Sequence, residues 1–477
     1  MKTITVLLVF LCTIFVASAD DKPNIVLFFI DDMGYGDIGP FGASLSETPN
    51  LARMAEKGIT LTNFYVGATA CTPSRSSLMT GCYADRIDMD RSVVFPGDER
   101  GLNPSEVTIA EMLKERDYAT GCVGKWHLGD APEFMPGKQG FDFYTGIPYS
   151  NDMWSGHKSH PPLPFIKNHK AVAHISDGLD QALLGDALSD AAVEFINENK
   201  DKPFFLYFPH SMVHVPRYIL QDRADKYLGQ FEPVDLALKI QIEEIDASVG
   251  SVVETLDALG LTENTLIFFT SDNGGSGATS MGGLRGGKGG AKYEGHMRAA
   301  TIAKWPARIP AGAECSELAS TIDLLPTIAG ITGAKVPQDR IIDGRDIGRL
   351  LTERGAKSPH SHLFYEYEGV REGNWKLVLP KTRKNKKAPA PELYNLSSDI
   401  SEQHNIALEH PDKVQKFLAL LKNHRDSIQF EKRLAAYVEN PKPITTLGLP
   451  SLAKFLGREG EPVFSDGTLG GNSNMMN

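Results

Sequence analysis

Four short stretches of this 477-residue chain are apolar almost without a break, at residues 24–30, 118–123, 203–208 and 265–270. A strand with one wet face alternates. A continuous run implies burial on both faces, as in a parallel sheet covered by helices. Helix-like segments at 108–115, 185–199 and 235–259 lie between the runs. That alternation predicts an α/β sandwich. Each run also ends in polar groups. Asp31 and Asp32 follow the first, Gly124-Lys125-Trp126-His127 the second, His210 and His214 the third, Ser271-Asp272-Asn273 the fourth. Open α/β sheets bind ligands beyond the carboxyl ends of their strands. One such ending is an ordinary turn, but four gather charge at one edge, which is costly unless a ligand or metal compensates.

From about residue 359 the texture changes. Residues 362–367, 370–379 and 392–396 read as an antiparallel meander, and 411–426 as an amphipathic helix. The expected division is a leader at 1–19, a catalytic domain at 20–355, a C-terminal α+β subdomain at 356–440 and an extension at 441–477. The Gly/Asn-rich end from 465 reads as disordered. The basic run at 381–387 reads as a solvated loop between two strands.

Lys2, the apolar core at 6–16 and Ala17-Ser18-Ala19 have the layout of a secretory signal peptide. The core is too short for a membrane span, so no stable insertion is expected after cleavage. The expected location is secreted or periplasmic, or a lysosomal-type compartment in a eukaryote. Beyond Cys12 in the leader and Cys71, only Cys82, Cys122 and Cys315 remain, read as structural thiols rather than a disulfide framework. A net charge of −11 argues against a nucleic-acid partner. It also means that an anionic substrate must be held by particular cations rather than by net charge.

Residues 71–81 read Cys-Thr-Pro-Ser-Arg-Ser-Ser-Leu-Met-Thr-Gly. Pro73 suits a first helical turn and Gly81 a helix stop. The pattern predicts Cys71 just ahead of a helix start, where free N–H groups and the dipole favour negative charge, with Arg75 at the same end. A reactive group and a fixed cation there make a receptor for a tetrahedral oxyanion. Asp31, Asp32, Asp272 and Asn273 offer only oxygen donors, suiting calcium or magnesium better than zinc. Lys125 and His127, two apart, point the same way if the chain is extended and could reach one anion. His210 and His214, beyond the third run, leave two candidates for proton transfer.

The 71–81 string resembles the signature of type I sulfatases, Cys-x-Pro-Ser-Arg-x-x-x-x-Thr-Gly, at every fixed position. The Asp-Asp pair, the Asp-Asn-Gly turn and Gly-Lys-Trp-His-Leu-Gly at 124–129 resemble further motifs of that family, in order, over residues 23–426. The texture is most similar to the arylsulfatase A and N-acetylgalactosamine-6-sulfatase group of the alkaline phosphatase superfamily. The resemblance implies a large, mostly parallel central sheet flanked by helices, plus a small C-terminal antiparallel sheet with one helix. It implies that a maturation enzyme converts Cys71 to formylglycine (3-oxoalanine). It implies a calcium ion, or magnesium, held by Asp31, Asp32, Asp272, Asn273 and an oxygen of residue 71. One oxygen of the hydrated aldehyde would attack sulfur and expel the alcohol, and the sulfated hydrate would then collapse to release sulfate. Arg75, Lys125 and Lys288 would stabilise charge on the transferring group.

By the same resemblance His127 would accept the proton as the sulfated hydrate breaks down. His214, followed by Pro216 in the family spacing, would protonate the leaving alcohol, leaving His210 to bind substrate. Tyr149-Ser150-Asn151-Asp152 is similar to a Tyr-Ser-x-Asp stretch that makes Ser150 a sulfate ligand. The late Gly-Lys-x-x-x-aromatic-Glu-Gly-Gly motif departs from the family. Lys288 lies one residue too far from Tyr293, and His296 replaces a glycine, yet Lys288 keeps the Gly-Lys-Gly context that Lys292 lacks. The implied function is an exported sulfatase acting on sulfated carbohydrate, with specificity in loops 155–176 and 218–234. The competing readings are a phosphatase or phosphonate monoester hydrolase of the same superfamily, and a catalytically silent binder of sulfated glycans if Cys71 stays unmodified.

Overall fold

A computed structural model describes residues 22–157, 160–290, 292–380 and 389–467. The expected leader, the basic run at 381–387 and the last residues of the tail lie outside these. Ten strands form one sheet: β1 (Asn24–Ile30), β2 (Ile59–Leu61), β3 (Ala119–Lys125), β4 (Phe143–Ile147), β5 (Leu163–Lys167), β6 (Lys170–Ile175), β7 (Phe204–Phe208), β8 (Thr265–Ser271), β9 (Thr301–Lys304) and β10 (Ala313–Cys315). Their order is β10-β2-β9-β8-β1-β7-β3-β4-β5-β6. The central five, β8-β1-β7-β3-β4, are mutually parallel, while β9, β5 and β6 pair antiparallel toward the edges.

All seven residues of β1 are buried, and the strand's period of two sends them to opposite layers. Val26, Phe28 and Ile30 join one core and Ile25, Leu27 and Phe29 the other. Six helices matter here: α1 (Cys71–Thr80), α2 (Ile109–Lys114), α3 (Gly178–Asn199), α4 (Pro233–Ala258), α5 (Leu324–Thr332) and α6 (Pro411–Phe430). Helices α3 and α4 cover the first face, and α1, α2 and α5 the second. A capping box of Thr108 and Glu111 starts α2. Helix α3 begins at Gly178, just after its Asp177 cap and seven residues before the expected start at Gly185. Gly185 is instead a close-packing point inside the helix, where an added Cβ would sit 3.0 Å from the Met212 Cε.

A second, four-stranded antiparallel meander follows: β11 (Leu363–Tyr365), β12 (Gly369–Glu372), β13 (Trp375–Val378) and β14 (Glu392–Asn395). Phe417 and Leu421 of α6 pack on its Val370, Leu377 and Leu393. Residues 441–467, expected as an extension, return to the large domain. There Val463–Ser465 pairs antiparallel with Tyr218–Leu220, and the Ala453 amide donates to Asp180 of α3 (2.8 Å). Among the described residues all four cysteines are free and buried, and no helix is long and apolar enough to cross a membrane.

Candidate active site

Strand register builds the first half of the site. Strands β1 and β8 pair Ile30 with Ser271, so Asp31-Asp32 and Asp272-Asn273 leave the sheet side by side. The Asp272 amide donates to the Ile30 carbonyl (2.8 Å), and the Asp32 amide to Asp272 Oδ1 (3.1 Å). Asn273 Nδ2 donates to Asp32 Oδ1 (2.7 Å), and its own Oδ1 is buried without a hydrogen-bond partner. All four residues are buried.

Helix α1 supplies the second half. It starts at Cys71 itself, earlier than the sequence predicts, so Cys71 is the first helical residue rather than lying just ahead of the helix, and Pro73 falls at the third helical residue. Ala70 is the N-cap and offers no side-chain acceptor, so the first-turn amides keep their pull on anions. Gly81 ends the helix in the left-handed region (φ 70°). All ten residues of α1 are buried, an uncommon burial for Ser and Arg that fixes the position of Cys71.

Cys71 Sγ stands 3.4 Å from Asp31 Oδ1, 3.4 Å from Lys125 Nζ and 3.6 Å from Lys288 Nζ. Lys125 closes β3 rather than following it. Its ammonium donates to Asp31 Oδ2 (2.6 Å) and to Ser150 Oγ (3.1 Å). Arg75 donates to Asp272 Oδ2 (2.8 Å) and to the Lys125 carbonyl (3.0 Å). Lys288 donates to Asp32 (2.9 Å), whereas Lys292 lies over the Tyr293 ring at 5.3 Å. Lys288 is therefore the lysine brought to Cys71, despite the irregular motif spacing.

The histidines divide. His214 Nδ1 donates to the Val215 carbonyl (2.6 Å), and Nε2 lies 3.7 Å from Asp32 Oδ2. His210 instead accepts from the Met212 amide (3.3 Å), packs on Phe208 and approaches Gly185 of α3. His127 does not sit on extended chain. Its φ is 62°, so the two-apart argument that aligned it with Lys125 does not hold. A different set of bonds holds it. Its amide donates to the Pro148 carbonyl (3.0 Å) and its carbonyl accepts from Thr72 Oγ1 (2.8 Å). Its Nε2 lies 3.0 Å from the Val94 carbonyl, which can only accept, so Nε2 carries the proton. Nδ1 is left buried, unprotonated and without a partner.

Electrostatics follow from this packing. Burial pushes the Asp31 carboxyl up, but Lys125, His214, Arg75 and Lys288 outweigh it and hold it well below the usual carboxylate range. Burial, with Asp31 and Asp32 alongside, raises Asp272 to about 7. Burial and the Asp31 charge push the Cys71 thiol up to about 12. Burial, Lys125 and Arg75 keep His127 neutral, well below its ordinary value. As a thiol, Cys71 is thus protonated and a poor nucleophile, because the thiolate is the reactive form. Three carboxylates face three cations with no surplus for an anion. The donor atoms gather in two groups that share residue 71, Asp31–Cys71–Asp272 and Asp32–Cys71–His214. A hard divalent ion fits the oxygen donors among them and the unpartnered Asn273 oxygen, and would restore a positive excess.

Sequence reasoning missed several supporting groups. Ser276 Oγ donates to Asp32 Oδ2 (2.8 Å), three residues past Asn273 in a glycine-rich loop that carries no periodicity to mark it. Thr69, two residues before Cys71, is held by Glu366 Oε1 through its amide (3.0 Å) and hydroxyl (3.1 Å). No local signal joins residues 297 apart.

Residues 23–334 match the family model described as Sulfatase, and residues 291–429 match that of the N-sulphoglucosamine sulphohydrolase C-terminal region. The chain is 37% identical to arylsulfatase A of Homo sapiens over 480 aligned residues, covering 88% of this chain and 91% of that protein. It is 36% identical to N-acetylgalactosamine-6-sulfatase of Canis lupus familiaris, covering 71% and 68%. Among solved structures, Ps i-CgsB in complex with k-i-k-neocarrahexaose superposes with a TM-score of 0.74 at 29% identity, covering 87% of this chain and 95% of that one. A phosphonate monoester hydrolase from Silicibacter pomeroyi shares the fold, with a TM-score of 0.60 at 18% identity, covering 86% and 96%.

Proposed function

Because the chain belongs to the sulfatase family and is a sulfuric ester hydrolase, we propose that it is an exported enzyme that removes sulfate from carbohydrate through residue 71. The observation that carries the reading is the pairing of Cys71 with Lys125, Lys288 and Asp31 at the open end of α1. A buried thiol pushed up to about 12 gives no nucleophile, so the position calls for oxidation to formylglycine by a maturation enzyme. When formed, the hydrated aldehyde supplies an oxygen nucleophile. Asp31, Asp32, Asp272 and Asn273 would hold a calcium ion, or magnesium, which when bound supplies Lewis-acid stabilisation of a sulfate oxygen.

The chain's own side chains do the rest. Lys125, Lys288 and the α1 amides bind the sulfate oxygens, and Ser150 holds Lys125 in place. Arg75 neutralises Asp272 and Asp31 from below. Burial and Lys288 hold His214 below its ordinary value, and its Nδ1 proton is engaged by the Val215 carbonyl, so it donates from Nε2 to the leaving oxygen only once protonated, a form that Asp32 and an anionic ester favour. His127 Nδ1, unprotonated in this tautomer, receives a proton at residue 71 as sulfate departs. Carbohydrate is supported by the neocarrahexaose bound to the Ps i-CgsB neighbour and by the galactosamine sulfatase relative. Export is supported by the signal-like residues 1–19.

The test compares hydrolysis of a monosaccharide sulfate, an aryl sulfate and an aryl phosphate before and after chelation. The expected result is turnover of both sulfates, weak turnover of phosphate, and recovery of the lost rate on adding calcium or magnesium. Preferential phosphate hydrolysis, or full activity in a metal-free protein, contradicts the reading.

A further inference from the structure

Phe95 is 46% exposed although Cys71, close by in space, is 1% exposed. The residue before it explains the proximity. The Val94 amide donates to Thr72 Oγ1 (3.1 Å), and the Val94 carbonyl accepts from His127 (3.0 Å). Thr72 is the residue after Cys71, and consecutive Cα atoms lie about 3.8 Å apart. The backbone of Phe95 is therefore tethered one residue beyond a bond to the nucleophile helix and to the motif histidine. The loop is also braced. The Phe95 amide donates to Asp98 Oδ2 (2.7 Å), and the Asp98 amide closes back on the Phe95 carbonyl (3.0 Å). The Gly97 amide donates to both oxygens of the buried Asp130 (3.1 and 3.0 Å).

His157, whose Nδ1 lies 3.2 Å from the Asp152 carbonyl, accepts the His160 amide at its own carbonyl (3.3 Å), and the His160 ring lies against Phe95. The two rings stack at 12°, with centroids 6.5 Å apart. Other large apolar side chains are exposed on the described surface, Leu408 and Phe430 among them, but Phe95 follows a residue bonded to both Thr72 and His127. Next to a sulfate site an exposed ring has a chemical use, because a pyranose or aryl ring offers an apolar face while its ester group enters the charged site.

We propose that Phe95, backed by His160, is the platform on which the ring bearing the sulfate ester packs, and so a specificity-determining residue for ring-borne sulfates. This rests on the sulfate-ester reading above. The test uses the mature enzyme and its Phe95→Ala, Phe95→Leu and Phe95→Tyr variants, with a monosaccharide sulfate, nitrophenyl sulfate and inorganic sulfate as a ringless competitive inhibitor. Phe95→Ala is expected to raise KM for both ring-borne esters about tenfold. kcat and the inhibition constant for inorganic sulfate should change little. Tyr should restore the wild-type KM and Leu only part of it. An unchanged KM in Phe95→Ala overturns the platform, as does an equal loss of inorganic sulfate binding, which would mark damage relayed through Val94. Wild-type enzyme that hydrolyses neither ring-borne ester overturns the substrate reading itself, and the platform with it.

Discussion

Glu294→Gln tests how the two sheets are joined. Glu294 is fully buried, and its Oε1 accepts from the Tyr365 hydroxyl (2.6 Å) and Lys376 (3.0 Å). Its Oε2 accepts from the Tyr65 hydroxyl (2.6 Å) and Arg371 (3.3 Å), with Arg298 at 3.6 Å. Tyr65 and Arg298 belong to the large domain, and Tyr365, Arg371 and Lys376 to the small sheet. Glu294 also opens the short helix Glu294–Met297, which ends the loop carrying Lys288. Glutamine keeps the shape but removes the charge between two domains and turns an NH₂ toward a donor. Breaking a buried pair from one side costs about 3–5 kcal/mol. At about 2–4 °C per kcal/mol for a domain of 150–250 residues, and less for a larger one, the midpoint should fall by roughly 5–15 °C. The pH dependence has a definite sign. Burial pushes the carboxyl up, but Lys376, Arg371 and Arg298 hold it far below its ordinary 4.5. Its stabilisation is therefore complete above that ordinary value and drains away as pH falls toward the folded one. Calorimetric scans at neutral and acid pH, with limited proteolysis to detect release of the small domain, read this directly. Equal midpoints at neutral pH, or a gap that widens in acid, would refute the reasoning.

Two further outcomes concern the site. Lys288→Ala should lower kcat by about 10²–10³, as for loss of one preorganised donor, while Lys292→Ala leaves it unchanged; steady-state rates on one ester decide. His214→Ala should slow a sugar sulfate, with its poor leaving group, by about 10²–10⁴ and nitrophenyl sulfate far less. His210→Ala should show no such split, and equal slowing of both esters by His214→Ala would move the acid role elsewhere.

Much of this was legible because the strands are buried on both faces, which writes them as unbroken apolar runs whose ends mark the site. The Asp31-Asp32 and Asp272-Asn273 neighbourhood could be anticipated from two acidic strand ends, although only the β1–β8 register sets their contact. Lys125 reads as lying beyond its strand because a buried lysine is a poor strand ending until Asp31 faces it. The left-handed backbone of His127 depends on tertiary bonds to Pro148 and Thr72, which no extended reading of 124–127 contains. Gly185 reads as a boundary in one dimension and as a packing contact in three. The Thr69–Glu366 and Glu294 links join distant segments through single polar groups, which carry no periodicity. The return of residues 441–467 to α3 is invisible for the same reason.

The central claim is that oxidised Cys71, not its thiol, performs sulfate-ester hydrolysis. A mass spectrum of the peptide containing residue 71, taken on preparations of differing maturation and plotted against their specific activity, tests it most directly. Turnover should rise in proportion to the fraction of residue 71 present as the aldehyde and extrapolate to zero where only cysteine remains. Full turnover by protein whose residue 71 is wholly unmodified cysteine would contradict the account.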